Sequence, residues 1–211
     1  MAIWLVRHGE TAWSVSGQHT GTTDIPLTRT GELQALALGK LLAGRTFDRA
    51  ISSPLGRARR TAELAGFADA GVDDRLCEVD YGELEGLTTE QIWERTPGWE
   101  LFRDGCPGGE SPAGISARAD EVLEHLRGLG GTTLLFGHGH RFRALGARFL
   151  GQPIGAATNL RLDAGSLSIL ADGRDGPNLV LWNRAVPTTA VVVADLAASI
   201  ARAEREAGGA D

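Results

Sequence analysis

The chain predicts an α/β fold, a three-layer sandwich of helices around a mostly parallel sheet, and three observations predict it. Residues 2–7 (AIWLVR) and 132–137 (TTLLFG) are short apolar runs suited to buried strands. Helix signals alternate with such runs along the chain, the pattern of parallel α/β folds. Both strands run into a His-Gly pair, His8-Gly9 and His138-Gly139. Loops at the carboxyl ends of strands are where these folds hold ligands.

The elements follow in order. Thr28 to about Ala43 carries leucines at 33, 36, 38, 41 and 42 behind a threonine cap, which predicts a helix. Phe47 to Ser52 reads as a short strand. Ser53-Pro54 then supplies an N-cap with proline at the first helical position, so SPLGRARRTAELAG is expected to be a helix closed by Gly66. Ser111-Pro112 repeats the device and opens a helix to about Gly128. Residues 158–171 and 178–184 read as a hairpin-like strand pair, and the alanine-rich tail 190–207 as a helix ending in a frayed 208–211. One domain over 1–211 is expected, with 81–110, rich in Gly, Glu and Trp, as a lid segment over the strand ends.

Composition narrows the function. Charged residues at 23% and hydrophobic residues at 42% are ordinary for a globular chain, and a net charge of −6 argues against a nucleic-acid partner. No run approaches a membrane span and no signal peptide opens the chain, so a cytoplasmic protein without a membrane partner is expected. Cys77 and Cys106 form no metal or disulfide pattern. Local clusters of charge therefore need local explanations.

Four stretches carry candidate chemistry. Arg7-His8-Gly9-Glu10-Thr11 puts a guanidinium and an imidazole at a strand end, where side chains are rigidly held and glycine lets backbone approach a ligand. SSPLGRARRTAE places Arg57 in a first helical turn whose free N–H groups favour anions, with Arg60 on a more exposed face. LFGHGHRFRAL repeats the strand-His-Gly arrangement at His138; its HxH pair suggests metal, but no further ligand set accompanies it, so no metal is expected. RLCEVDYGELEGL crowds Glu78, Asp80, Glu83 and Glu85 together, and one of them, if buried beside an anion, is a candidate general acid.

Taken in order, RHGET, SSPLGRARRTA, LCEVDYGELEG, PGGES and GHGH resemble the histidine phosphatase superfamily, the phosphoglycerate mutase-like family, over about residues 2–185. The resemblance implies the phosphoglycerate mutase-like version of the sandwich, with no cofactor. It also implies a phosphorylated His8 as nucleophile, with Arg7, Arg57 and His138 binding the transferring phosphoryl group. Glu78 matches the proton donor, with Asp80 and Glu83 nearby should the register slip. These roles suit phosphoryl transfer, which depends on positioning and on charge stabilisation by several donors. Neighbouring guanidiniums also disfavour the imidazolium form of His8 and keep it nucleophilic.

Within the family, only 60 residues separate Glu78 from His138, without the extended basic, proline-rich insertion of the mutase branch, so hydrolysis is favoured over transfer. Phosphoglycerate mutase is the alternative activity. A binding module that has lost catalysis is a third reading, but every core position is filled. Ser14 stands where the family often has asparagine, and the chain looks most like the branch of sedoheptulose-bisphosphatases and bacterial acid phosphatases. That likeness makes Ser14, His19, Thr20 and Arg143 candidates for the non-reacting end of a sugar phosphate or bisphosphate. The implied partner is a small phosphorylated metabolite, and a homodimer is allowed. Trp93 and Trp99 are candidates for covering the substrate, whereas Trp4 and Trp182 read as core.

Overall fold

The computed structural model describes residues 1–186; the expected tail helix and frayed terminus lie outside the described residues. The elements run β1 (Ala2–Arg7), α1 (Ala12–Ser16), α2 (Arg29–Leu42), β2 (Arg49–Ser52), α3 (Gly56–Leu64), β3 (Gly71–Val72), α4 (Thr89–Arg95), α5 (Leu101–Asp104), α6 (Pro112–Leu129), β4 (Thr132–Gly137), α7 (Gly139–Phe149), β5 (Ser166–Gly173) and β6 (Gly176–Ala185). Six strands form one sheet in the order β3-β2-β4-β1-β5-β6. β3, β2, β4 and β1 are parallel, and β5 turns back against β1 to start an antiparallel hairpin with β6.

Alternation along β1 divides the core. Ile3 and Leu5 face a cluster built with α6, α7 and the 76–106 segment, while Trp4 and Val6 face a second cluster with α2 and α3. A strand's side chains point to opposite faces in turn, so two helical layers cover one sheet. The α/β/α architecture read from the sequence is the architecture observed. The 81–110 segment anchors Tyr81, Trp99 and Phe102 in the first cluster. Trp4 is buried, but Trp182 is only half-buried.

Two expected boundaries are corrected. Ser53 is not the cap of α3: the helix starts at Gly56 after Leu55, which makes no side-chain cap bond. Its first N–H groups instead donate to the carboxylate of Asp24, from Gly56 at 2.7 Å and from Arg57 at 3.4 Å. A helix start needs acceptors for its free N–H groups, and here a residue 32 positions away supplies them. The strand expected from residue 158 begins only at Ser166, because Ile154–Asn159 is a 3-10 turn and Gly165, at φ 65°, donates its N–H to the carbonyl of His8 at 2.8 Å. The turn before β5 is thereby docked onto the backbone of the nucleophile candidate.

Candidate active site

Three adjacent parallel strands, β2, β4 and β1, end at one edge of the sheet and deliver Ser53, His138 and His8 side by side. The backbone holds the junctions: His8 N–H donates to Gly137 O and Ser53 N–H to Phe136 O, both at 2.9 Å. The His8 and His138 rings lie with centroids 5.3 Å apart. Gly9 serves a purpose other than the one expected. A Cβ there would sit 2.3 Å from the Gly31 carbonyl oxygen, so its bareness admits the backbone of α2 rather than a ligand.

His8 is 4% exposed and its Nδ1 lies 2.8 Å from the Gly9 carbonyl oxygen. A carbonyl only accepts, so Nδ1 carries the proton and Nε2 keeps its lone pair. Burial first, then the Arg7 and Arg57 cations, push the His8 pKa well below 6.5. The ring is a neutral base at ordinary pH. His138 is fully buried and likewise held well below 6.5, by burial and then by Arg57. Its Nε2 is 2.8 Å from Ser53 Oγ.

The two arginines are anchored differently. Arg7 donates through Nη1 to the Leu162 carbonyl and lies against Gly139, where a Cβ would be 3.1 Å from its Cζ. Arg57, 1% exposed, donates to the carbonyls of Thr23 (2.8 Å), Thr20 (3.0 Å) and Gly21 (2.9 Å), with Asp24 ion-paired at 3.6 Å. Arg7 Nε, Arg57 Nε and His138 Nδ1 are all buried without a protein hydrogen-bond partner. Such orphans are costly unless a ligand meets them. Arg60 pairs with Glu32 and Glu63 on the surface.

Glu78, 8% exposed, caps α7, whose own N-cap residue His138 makes no side-chain cap bond. Its carboxylate accepts the N–H groups of Arg141 at 2.8 Å, Val79 at 2.9 Å and His140 at 3.0 Å. Behind it, Arg118 donates to the Cys77 and Glu78 carbonyls at 2.9 and 3.2 Å, and the fully buried Arg141 to the Cys77 carbonyl at 3.1 Å. Glu110 of PGGES, paired with both arginines, completes the support. Asp80 instead accepts the N–H of Gly82, and Glu83 does not line the cleft described next.

An open cleft of about 220 Å³ runs over Arg7, His8 and Glu78 to His19, Tyr81, His140 and Arg143. Arg57 and His138 are buried and are not among its lining residues. Ser14 reaches the cleft, but its hydroxyl and N–H close a capping box with Thr11 at the start of α1. Thr20 lines it with its hydroxyl bonded to the Gln18 carbonyl at 3.1 Å. Trp99 packs in the core, while Trp93 is half exposed and donates to the Trp99 carbonyl at 2.9 Å. Sequence reasoning did not single out Tyr81 or give His140 a place in the cleft; the second histidine of GHGH was the available signal. Among the described residues no cluster of three or more His, Cys, Asp or Glu could hold a metal ion, and no helix is long and apolar enough to cross a membrane.

The profile of the histidine phosphatase superfamily, branch 1, matches residues 3–185. The chain belongs to this superfamily. Among its relatives, an acid phosphatase of Mycobacterium tuberculosis is 42% identical over 173 residues, 79% of this chain and 84% of that protein. A probable phosphoglycerate mutase GpmB of Salmonella choleraesuis is 37% identical over 179 residues, 80% of this chain and 83% of that one. The solved structure of a Mycobacterium tuberculosis open reading frame superposes with a TM-score of 0.83 at 38% identity, covering 88% of this chain and 98% of that one. In this histidine phosphatase the family's motifs therefore converge on one sheet edge.

Proposed function

We propose that this histidine phosphatase is a metal-independent phosphomonoesterase of small phosphorylated metabolites, sugar phosphates or bisphosphates, working through a phosphohistidine on His8. The observation that carries the reading is the set of orphaned buried groups around a neutral imidazole: Arg7 Nε, Arg57 Nε and His138 Nδ1. In the tautomer in which the Ser53 hydroxyl donates to His138 Nε2, all three are N–H donors, and a phosphoryl group offers the oxygens they lack.

In the first step the His8 Nε2 lone pair attacks phosphorus while the ester P–O bond breaks. The leaving alkoxide takes a proton from the Glu78 carboxyl, and His8 Nδ1–H stays on the Gly9 carbonyl. In the second step Glu78, now a carboxylate, takes a proton from water. The hydroxide attacks phosphorus, the N–P bond breaks, and phosphate leaves with the ring neutral again. Donors fixed around the equatorial oxygens stabilise both transition states without reorganising.

The experiment is labelling with phosphorylated substrate. An acid-labile phosphate lost in His8→Ala, with turnover surviving a chelator, supports the reading; turnover abolished by chelator overturns the metal-free mechanism. The similarity to a probable mutase favours a second reading, transfer instead of hydrolysis. Incubation with 3-phosphoglycerate and a bisphosphoglycerate primer separates them, since transfer without net phosphate release would decide for the mutase.

A further inference from the structure

Beyond Glu78 the cleft is lined by two imidazoles. The His19 and His140 rings are parallel there, with centroids 5.9 Å apart and an interplanar angle of 1°. Tyr81 Oη lies 2.6 Å from His140 Nδ1, and among the described residues this is its one hydrogen-bond partner. Tyr81 is buried, so its phenol proton has no acceptor among the described residues other than Nδ1 and is donated there. The proton of the His140 ring then sits on Nε2, a donor. His19 is the mirror case. Its Nδ1 is 2.9 Å from the Leu87 carbonyl oxygen, so Nδ1 carries the proton and Nε2 is an acceptor.

Burial lowers the pKa of both rings, so neither brings a charge. Arg143 is the cation in this half, and two of its five N–H groups are committed to backbone carbonyls. Nε donates to the Ala157 carbonyl at 3.0 Å, Nη2 to the Thr158 carbonyl at 3.1 Å, and the group stacks 5.1 Å over Phe102. One neutral donor and one neutral acceptor side by side match groups that both accept and donate. A second phosphate only accepts, and it would meet the lone pair of His19.

We propose that His19 and His140, with Tyr81 setting the tautomer, form a hydroxyl-binding subsite that takes neighbouring hydroxyls of a polyol or sugar phosphate and selects monophosphates over bisphosphates. This rests on the phosphatase reading and narrows its substrate class. His140 is a specificity residue here, and the subsite assigns His19 to hydroxyl recognition rather than to a second phosphate.

The test compares kcat/KM of the intact protein for ribose 5-phosphate, pentyl phosphate and ribose 1,5-bisphosphate, and for pentyl phosphate and ribose 5-phosphate in His140→Phe and His19→Phe. The ribose phosphate is expected to exceed pentyl phosphate about tenfold or more, because a site built to pair hydroxyls discriminates against analogues lacking them. The bisphosphate is expected to be no better than the monophosphate. In both variants the ratio of the ribose to the pentyl ester should fall toward one, a readout that cancels any loss of folded enzyme. Phosphate release with no preference for the ribose ester, a tenfold preference for the bisphosphate, or a ratio unchanged in both variants overturns the subsite while leaving the phosphatase reading intact. No phosphate release from any of the esters, with p-nitrophenyl phosphate also inert, overturns both.

Discussion

Glu85 and Arg57 hold the same short loop from opposite sides. The Glu85 carboxylate accepts the N–H groups of Gly21 at 2.9 Å and Thr23 at 3.1 Å, while the Arg57 guanidinium takes the carbonyls of Thr20, Gly21 and Thr23. Gly21 has no room for a side chain, since a Cβ there would meet Glu85 Oε2 and the Val79 oxygen at 2.6 Å each. The loop thus transmits the position of Glu85 to the cation that acts on His8. Glu85→Ala leaves two N–H groups without their acceptor, at a cost of about 1–3 kcal/mol for each that stays buried. A lowered urea midpoint together with an acid limb of kcat/KM moved to higher pH is the expected result. A stability loss with an unmoved limb would show Glu85 to be merely structural.

Arg57→Met tests the electrostatic part directly. With His8 held well below 6.5, its ring stays neutral through mildly acidic solution, so activity is retained there until the pH falls through the depressed value. Removing one of the two cations that lower it raises the His8 pKa and shifts the acid limb upward. The loss of a donor to the transferring group should also cut kcat by roughly 10²–10³. The pH dependence of kcat/KM for both proteins is the measurement, and superimposable acid limbs would remove Arg57 from the field at His8.

Stability should follow the same histidines. His8, His138 and His140 are each held well below 6.5 by burial, so in acid they bind protons only when the chain unfolds. Their contribution is complete above the unfolded value near 6.5 and is lost as the pH falls below it, at up to about 1.4 kcal/mol per pH unit for each histidine. Urea unfolding between neutral and mildly acidic pH should show a slope approaching about 4 kcal/mol per unit. In His140→Gln about a third of that slope should disappear.

Much of the site was legible in the sequence because its chemistry sits at strand ends. His8 and His138 follow apolar runs whose periodicity and glycines mark them, and the three-layer fold follows from the same alternation. The two helix starts were not legible in the same way. α3 and α7 lack caps of their own and borrow Asp24 and Glu78, contacts that span 32 and 62 positions and leave no local signal. Ser53 was therefore read as the cap, when its hydroxyl pairs with His138 and accepts the N–H of Leu55 before the helix begins. Gly9 likewise looked like a ligand-facing glycine, because the Gly31 backbone that needs its space is remote in sequence. Tyr81 and His140 meet across 59 positions, and only the fold turns their pairing into a tautomer.

The double duty assigned to Glu78 gives the most discriminating outcome. In the proposed first step the carboxyl protonates an alkoxide, a service that p-nitrophenolate, a stable anion, does not need. In the second step its carboxylate must activate water whatever the first substrate was. Glu78→Gln should therefore phosphorylate His8 at near-normal speed from p-nitrophenyl phosphate and then stall. Rapid-quench kinetics should show a burst of about one nitrophenolate per active site followed by slow turnover. Phosphorylation by a sugar phosphate should fall by about 10²–10⁴, the usual contribution of general acid catalysis. Gln keeps one oxygen for the N–H groups at the start of α7, but its amide nitrogen now faces another of them, so the folded state should be checked by its urea midpoint. Equal losses with both esters and no burst would sink the two-step role of Glu78 and point to a carboxylate whose business is holding α7 in place.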